Sequence, residues 1–145
     1  MNTTIPQLLD TADMLLADTE APATPGAIEA VPAPSAVPTP TAVLTATAAS
    51  RCRGAAFALR AALETAVADS LDANAAPPAI RDGSMRAAFL WLRSCAEAGT
   101  ARRAKSVWSQ LCLGCHYHQY EIGPTEDQVR TWRAEVASVV GLLSE

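Results

Sequence analysis

The first fifty residues of this 145-residue chain contain no lysine, arginine, histidine, cysteine or aromatic side chain. Without bases, this stretch has neither the positive start of a secretory signal nor the Arg-rich, acid-poor character of a transit peptide. Asp10 and Asp13 also break the apolar stretch from Ile5 to Leu16. No apolar run anywhere approaches the ~18 residues of a membrane span, so the expectation is a soluble, intracellular protein without a membrane partner. Other signatures are missing too. No Gly-rich phosphate loop occurs, and no paired carboxylates stand in a recognisable catalytic setting. With aromatic residues at 5%, there is no stacking platform for single-stranded nucleic acid.

What the first fifty residues do contain is seven of the ten prolines and five acids. Residues 20–49 are Ala, Pro, Thr and Val without periodicity, a composition that favours extended, disordered linker. Only residues 4–17 carry a helical stripe: Ile5, Leu8, Leu9, Ala12, Leu15 and Leu16, opened by a Thr4/Gln7 capping-box pattern. A helix that short is marginal alone in water. The expectation is a disordered acidic tail, 1–49, whose amphipathic segment presents Leu8, Leu9, Ala12, Leu15 and Leu16 to a protein partner's groove.

Residues 50–145 hold every base, cysteine and aromatic residue, with ten acids against eleven bases. They read as an all-α domain, a small bundle of about four helices built as hairpins. Leu59, Leu63, Val67 and Leu71 mark the first helix, stopped by Asn74 and the Pro77-Pro78 pair. Ser84 caps a second that turns Ala88, Phe89, Leu92 and Cys95 inward and stops at Gly99. Thr100 opens a third with Ala104, Val107, Trp108 and Leu111. A Thr125/Gln128 capping box opens a fourth, with Val129, Trp132, Val136, Val139, Val140 and Leu143. Trp91, Trp108 and Trp132, one per helix, are expected to pack together in a single core. Ala96-Glu97-Ala98-Gly99, followed by Ala104, Trp108 and Leu111, resembles the turn and second helix of pentatricopeptide and tetratricopeptide repeats. The resemblance covers about twenty-five residues with no second copy, and it implies a helical hairpin rather than membership of an RNA-binding repeat family.

Soft donors are scarce, yet both histidines and two of the four cysteines fall in Cys112-Leu-Gly-Cys115-His116-Tyr-His118. Read as a loop, 112–118 offers Cys112, Cys115 and His118 to zinc, with His116 competing and Cys95 or Cys52 as candidate fourth ligand. An antiparallel hairpin would hold Cys95 far from Cys112, which counts against it. The same string is the covalent haem pattern, but the export signal such attachment needs is not seen, and no Met follows residue 85 to serve as a distal ligand. A reversible dithiol lacks its usual βαβ setting, and a plain polar loop stays open as an alternative. A Cys/His nucleophile has no orienting third group. The overall expectation is a non-enzymatic interaction or regulatory protein. A nucleic-acid-associated factor using Arg102, Arg103 and Lys105 is the second reading, and a haem- or redox-active protein the third.

Overall fold

The computed structural model describes residues 3–17, 47–116 and 122–145. Among these residues the chain is helical without strands, in six elements: α1 (Thr4–Ala17), α2 (Ala48–Ala73), α3 (Pro78–Arg81), α4 (Met85–Cys95), α5 (Ala98–His116) and α6 (Glu126–Leu143). The four helices expected in 50–145 correspond to α2, α4, α5 and α6. To these the structure adds the single turn α3 and a packed α1. The linker expected at 20–49 lies outside the described residues except for its last three.

α2 is the axis of the molecule, 26 residues or about 39 Å long, and α1, α4, α5 and α6 all pack on it. Its composition permits this. Ala55, Ala56, Ala58, Ala62 and Ala66 are buried on several sides, so neighbouring helices come close without side chains holding them apart, while Leu59, Leu63 and Val67 fill the space between. Thr47 caps the start by accepting from the Ser50 amide. At the end, Ala75 has a positive φ of 52°. The Ala76 amide reaches the Leu71 carbonyl and the Ala75 amide the Asp72 carbonyl, a Schellman closure in which glycine would be the unstrained choice.

Two of the other expected caps are in place. Ser84 Oγ accepts from the Ala87 amide and Thr125 Oγ1 from the Gln128 amide. The turn between α4 and α5 falls earlier than expected. Ala96 is extended, so α4 ends at Cys95. The Ala101 amide bonds the Glu97 carbonyl, so α5 is under way before Thr100, and Gly99 lies inside its first turn. Thr100 is therefore a buried helical residue, 4% exposed, rather than a cap.

The tryptophans share one core, Trp132 buried in it and Trp91 and Trp108 packed against it, but no aromatic pair among the described residues is Trp–Trp. Trp108 meets Phe89 edge-on at 5.7 Å and donates to Glu64 Oε1 at 2.8 Å. Trp132 lies over α5 and donates to Gln110 Oε1 at 2.7 Å. A Cβ on Gly114 would sit 2.7 Å from the Trp132 ring; this glycine exists to let the indole approach the helix, not to turn a metal loop. Trp91 is half-buried, with its Nε1 enclosed and lacking a partner among the described residues.

The stripe on α1 is covered by its own chain. Ile5, Ala12 and Leu16 are buried, Leu8, Leu9 and Leu15 half-buried, and α2 and α6 do the covering. Two arginines one turn apart on α6 hold α1: Arg133 grips the Asp13 carboxylate, and Arg130 donates to the Leu16 carbonyl at 3.4 Å, satisfying one of the carbonyls a helix end leaves open. The face read as an offering to a partner is thus seated intramolecularly. No helix among the described residues is long and apolar enough to cross a membrane.

Candidate functional site

Cys112 and Cys115 lie in the last turns of α5, not in a loop, and the helix runs on to His116. Tyr117 and His118 fall outside the described residues. The helix persists because α2 supports its end: Arg53 Nε donates to the Cys115 carbonyl at 3.1 Å, a cationic cap at the negative end of the helix dipole. Three residues apart, the two cysteines share a face toward α2, where Arg60 and Glu64 meet them.

The surroundings oppose thiolate. Burial pushes the Cys115 thiol above its ordinary range, although Arg60 pulls the other way. Burial likewise raises Cys112, where Arg60 pulls down and Glu64 pushes further up. Reactive cysteines sit at helix N-termini or in exposed electropositive sites; these sit at a helix C-terminus.

His116 is committed as well. Its ring meets Phe57 edge-on at 6.3 Å, and its Nε2 is 3.2 Å from Arg60 Nη1. A guanidinium can only donate, so Nε2 is the accepting atom of this contact. A cation placed here would meet Arg60 where a ligand lone pair was expected.

The two candidate fourth ligands are elsewhere. Cys52 is buried near the start of α2, its thiol raised by burial and by Glu126. Cys95, expected inward, is exposed at the end of α4 and lines a cavity with Ser70. Seventeen residues of α2 separate Ser70 from Arg53, which holds Cys115, a distance of about 25 Å along the axis. Among the described residues no group of three or more His, Cys, Asp or Glu converges on a point a metal could occupy. The two large cavities are lined by neither Cys112 nor Cys115, so neither serves as a haem pocket beside those sulfurs.

The basic cluster is also divided. Arg103 is tied to Glu135 at 3.0 Å and Ser138 at 3.1 Å, linking α5 to α6. Arg102 and Lys105 remain exposed and without an ion pair among the described residues.

The principal concavity lies elsewhere, where α1 crosses α2 and α6. It is an open cleft of about 740 Å³, within the range of small-molecule sites. Ile5 and Leu9 of α1, Ala66 and Ala73 of α2, and Val140 and Leu143 of α6 give it an apolar wall. The α6 stripe explains the opening: Val129, Trp132, Val136 and Val139 are covered, but Val140 and Leu143 only partly. Asp10 and Asp69 stand exposed at the rim, without a hydrogen bond or ion pair among the described residues. Arg133 also lines the cleft but is engaged by Asp13.

At one end the cleft adjoins a second, more polar cavity of about 480 Å³, sharing Ser70, Ala73, Leu143 and Ser144 with it. Cys95, Glu97, Thr100 and Glu145 also line it, with Asn74, Ala96 and Leu142. Ser70 and Thr100 are the two buried polar residues of the molecule's described part, 6% and 4% exposed. Neither hydroxyl has a hydrogen-bond partner there. Neither oxygen is among the enclosed, unpartnered side-chain atoms; both stay within reach of solvent from the cavity they line. Sequence reading missed both, since Ser70 stands inside an Ala-rich helix and Thr100 resembled a cap.

Comparison with family models, with curated proteins and with solved structures returns no match.

Proposed function

We propose that this chain is a non-enzymatic helical binding protein whose working surface is the cleft between α1, α2 and α6. One observation carries this reading: a concavity of about 740 Å³ with an apolar wall from three helices and unpaired carboxylates at its rim, the usual composition of a ligand site. The N-terminal helix is then a wall of the site rather than a free arm. Catalysis has no comparable support, since no cysteine–histidine hydrogen bond exists among the described residues and burial pushes three of the four thiols above their ordinary range.

The test is binding of Nile red, a neutral dye that fluoresces in apolar surroundings. Expected is saturable binding of about one dye per chain. It should be abolished by Ala73→Trp or Ser144→Trp, exposed positions at the cleft where added bulk leaves the core intact. Absence of saturable binding, or binding indifferent to both variants with helicity unchanged, overturns the reading. A nucleic-acid role rests on Arg102 and Lys105 alone, because Arg103 already serves α6.

A further inference from the structure

We infer that the cleft and its adjoining polar cavity take a hydrophobic primary amine, its hydrocarbon chain along the α1/α2/α6 wall and its ammonium beside Ser70 and Thr100. The inference rests on the cleft being a binding site and adds the chemistry of what it binds.

The shape sets the first requirement. An apolar cleft opens at one end into a polar cavity, and Ser70, Ala73, Leu143 and Ser144 belong to both. A ligand filling both has an apolar body and one polar end. The hydroxyls set the second. Ser70 and Thr100 are more than nine-tenths buried, line the polar cavity and find no partner among the described residues. Each hydroxyl can accept a hydrogen bond, and an ammonium brings three donors and no acceptor.

Charge sets the third. Asp10 and Asp69 line the apolar cleft, Glu97 and Glu145 the polar cavity. The cation lining either, Arg133, is neutralised by Asp13 at 2.7 Å. The start of α5 near Thr100 pulls the other way, because a helix N-terminus carries roughly half a positive charge. The two carboxylates lining the polar cavity, Glu97 and Glu145, outweigh half a charge, so the field at the polar end is negative. An anionic head, as on a fatty acid, would enter against it, and a neutral head would make the hydrogen bonds but gain nothing from the charges.

The experiment measures displacement of Nile red from the full chain by decylammonium, decanol and decanoate, each below its critical micelle concentration. Decylammonium is expected to bind at least tenfold more tightly than decanol, and decanoate most weakly. The preference for the amine should fall severalfold in Glu97→Gln, an exposed position of the polar cavity outside the dye-binding cleft, while dye binding is retained. Thr100→Val should weaken decylammonium without weakening decanol to the same degree. Hexylammonium should bind less tightly than decylammonium, reporting the apolar wall. Equal affinity for amine and alcohol, or tighter binding of decanoate, overturns the inference while the dye result leaves the binding site standing. Displacement by a Lys-rich amphipathic peptide where decylammonium fails also overturns it, in favour of a protein partner. Failure of the dye to bind at all removes the site itself.

Discussion

Arg133 and Asp13 are 120 residues apart in the chain and joined by a fork: Nε lies 3.0 Å from one carboxylate oxygen and Nη2 2.7 Å from the other. The pair fastens α1 to α6 at the edge of the cleft. Both side chains are partly exposed, 27% and 50%, so solvent screening keeps the pair's contribution to at most about 1 kcal/mol.

Arg133→Ala or Asp13→Asn should therefore leave global stability nearly unchanged while loosening α1. The expected result is faster hydrogen exchange at α1 amides than at those of α2, with weaker dye binding and little change in melting temperature. A drop in melting temperature as large as that from core truncation would show that α1 is integral to the bundle.

Gly114→Ala tests how close α5 and α6 lie. In an exposed helix the change would stabilise by about 1 kcal/mol. Here the new methyl would sit 2.7 Å from Trp132 Cζ3, and the indole is pinned by Gln110. Overpacking costs roughly 1–3 kcal/mol, so a net loss of about 1 kcal/mol is expected in urea unfolding. Adding Trp132→Phe should relieve part of the clash, giving a cycle in which the two changes are not additive.

Ala75→Gly should go the other way. Ala75 holds a φ of 52°, which costs an L side chain about 1 kcal/mol, and glycine adopts it freely. A gain of several tenths to about 1 kcal/mol is expected, after subtracting glycine's extra freedom in the unfolded chain.

The thiols give a pH dependence with a definite sign. Burial raises Cys52, Cys112 and Cys115, so the folded protein binds these protons more tightly than the unfolded chain does. Their contribution is complete below the unfolded thiol value, near about 8.5, and is lost as pH rises through the raised folded values. Stability should thus decline on the alkaline side, and less so in Cys112→Ala. At pH 8, a thiol reagent should modify exposed Cys95 first, half-buried Cys112 more slowly, and buried Cys52 and Cys115 only with denaturant. Zinc would need thiolates beside Arg60, so elemental analysis of dialysed protein should find well under one zinc per chain. A stoichiometric zinc would overturn this account of α5's end.

What could be read from the chain was what neighbouring residues decide among themselves. Ser84 and Thr125 cap because each places an oxygen three residues from an amide that needs it. Leu59, Leu63 and Val67 face inward because helical spacing aligns them. The stripe on α1 was legible for the same reason; what covers it was not, since an apolar face specifies that it must be buried and not by whom. α2, with α6, supplies that answer, and Arg130 and Arg133, more than a hundred residues away, fasten the helix there.

The reading of residues 112–116 as a loop failed in the same way. Spacing alone suggested a loop gathered on a metal, but Arg53 lies 62 residues upstream of the Cys115 carbonyl it caps, and that bond carries the helix through both cysteines. The separation of Cys95 from Cys115, and the meeting of Ser70 with Thr100 at one cavity, likewise depend on how α2 lies against α4 and α5. Helical periodicity and caps act within about one turn, so the linear chain encodes them openly. Cavities, and the hydroxyls that open into them, exist only once distant helices have packed and left some surface uncovered.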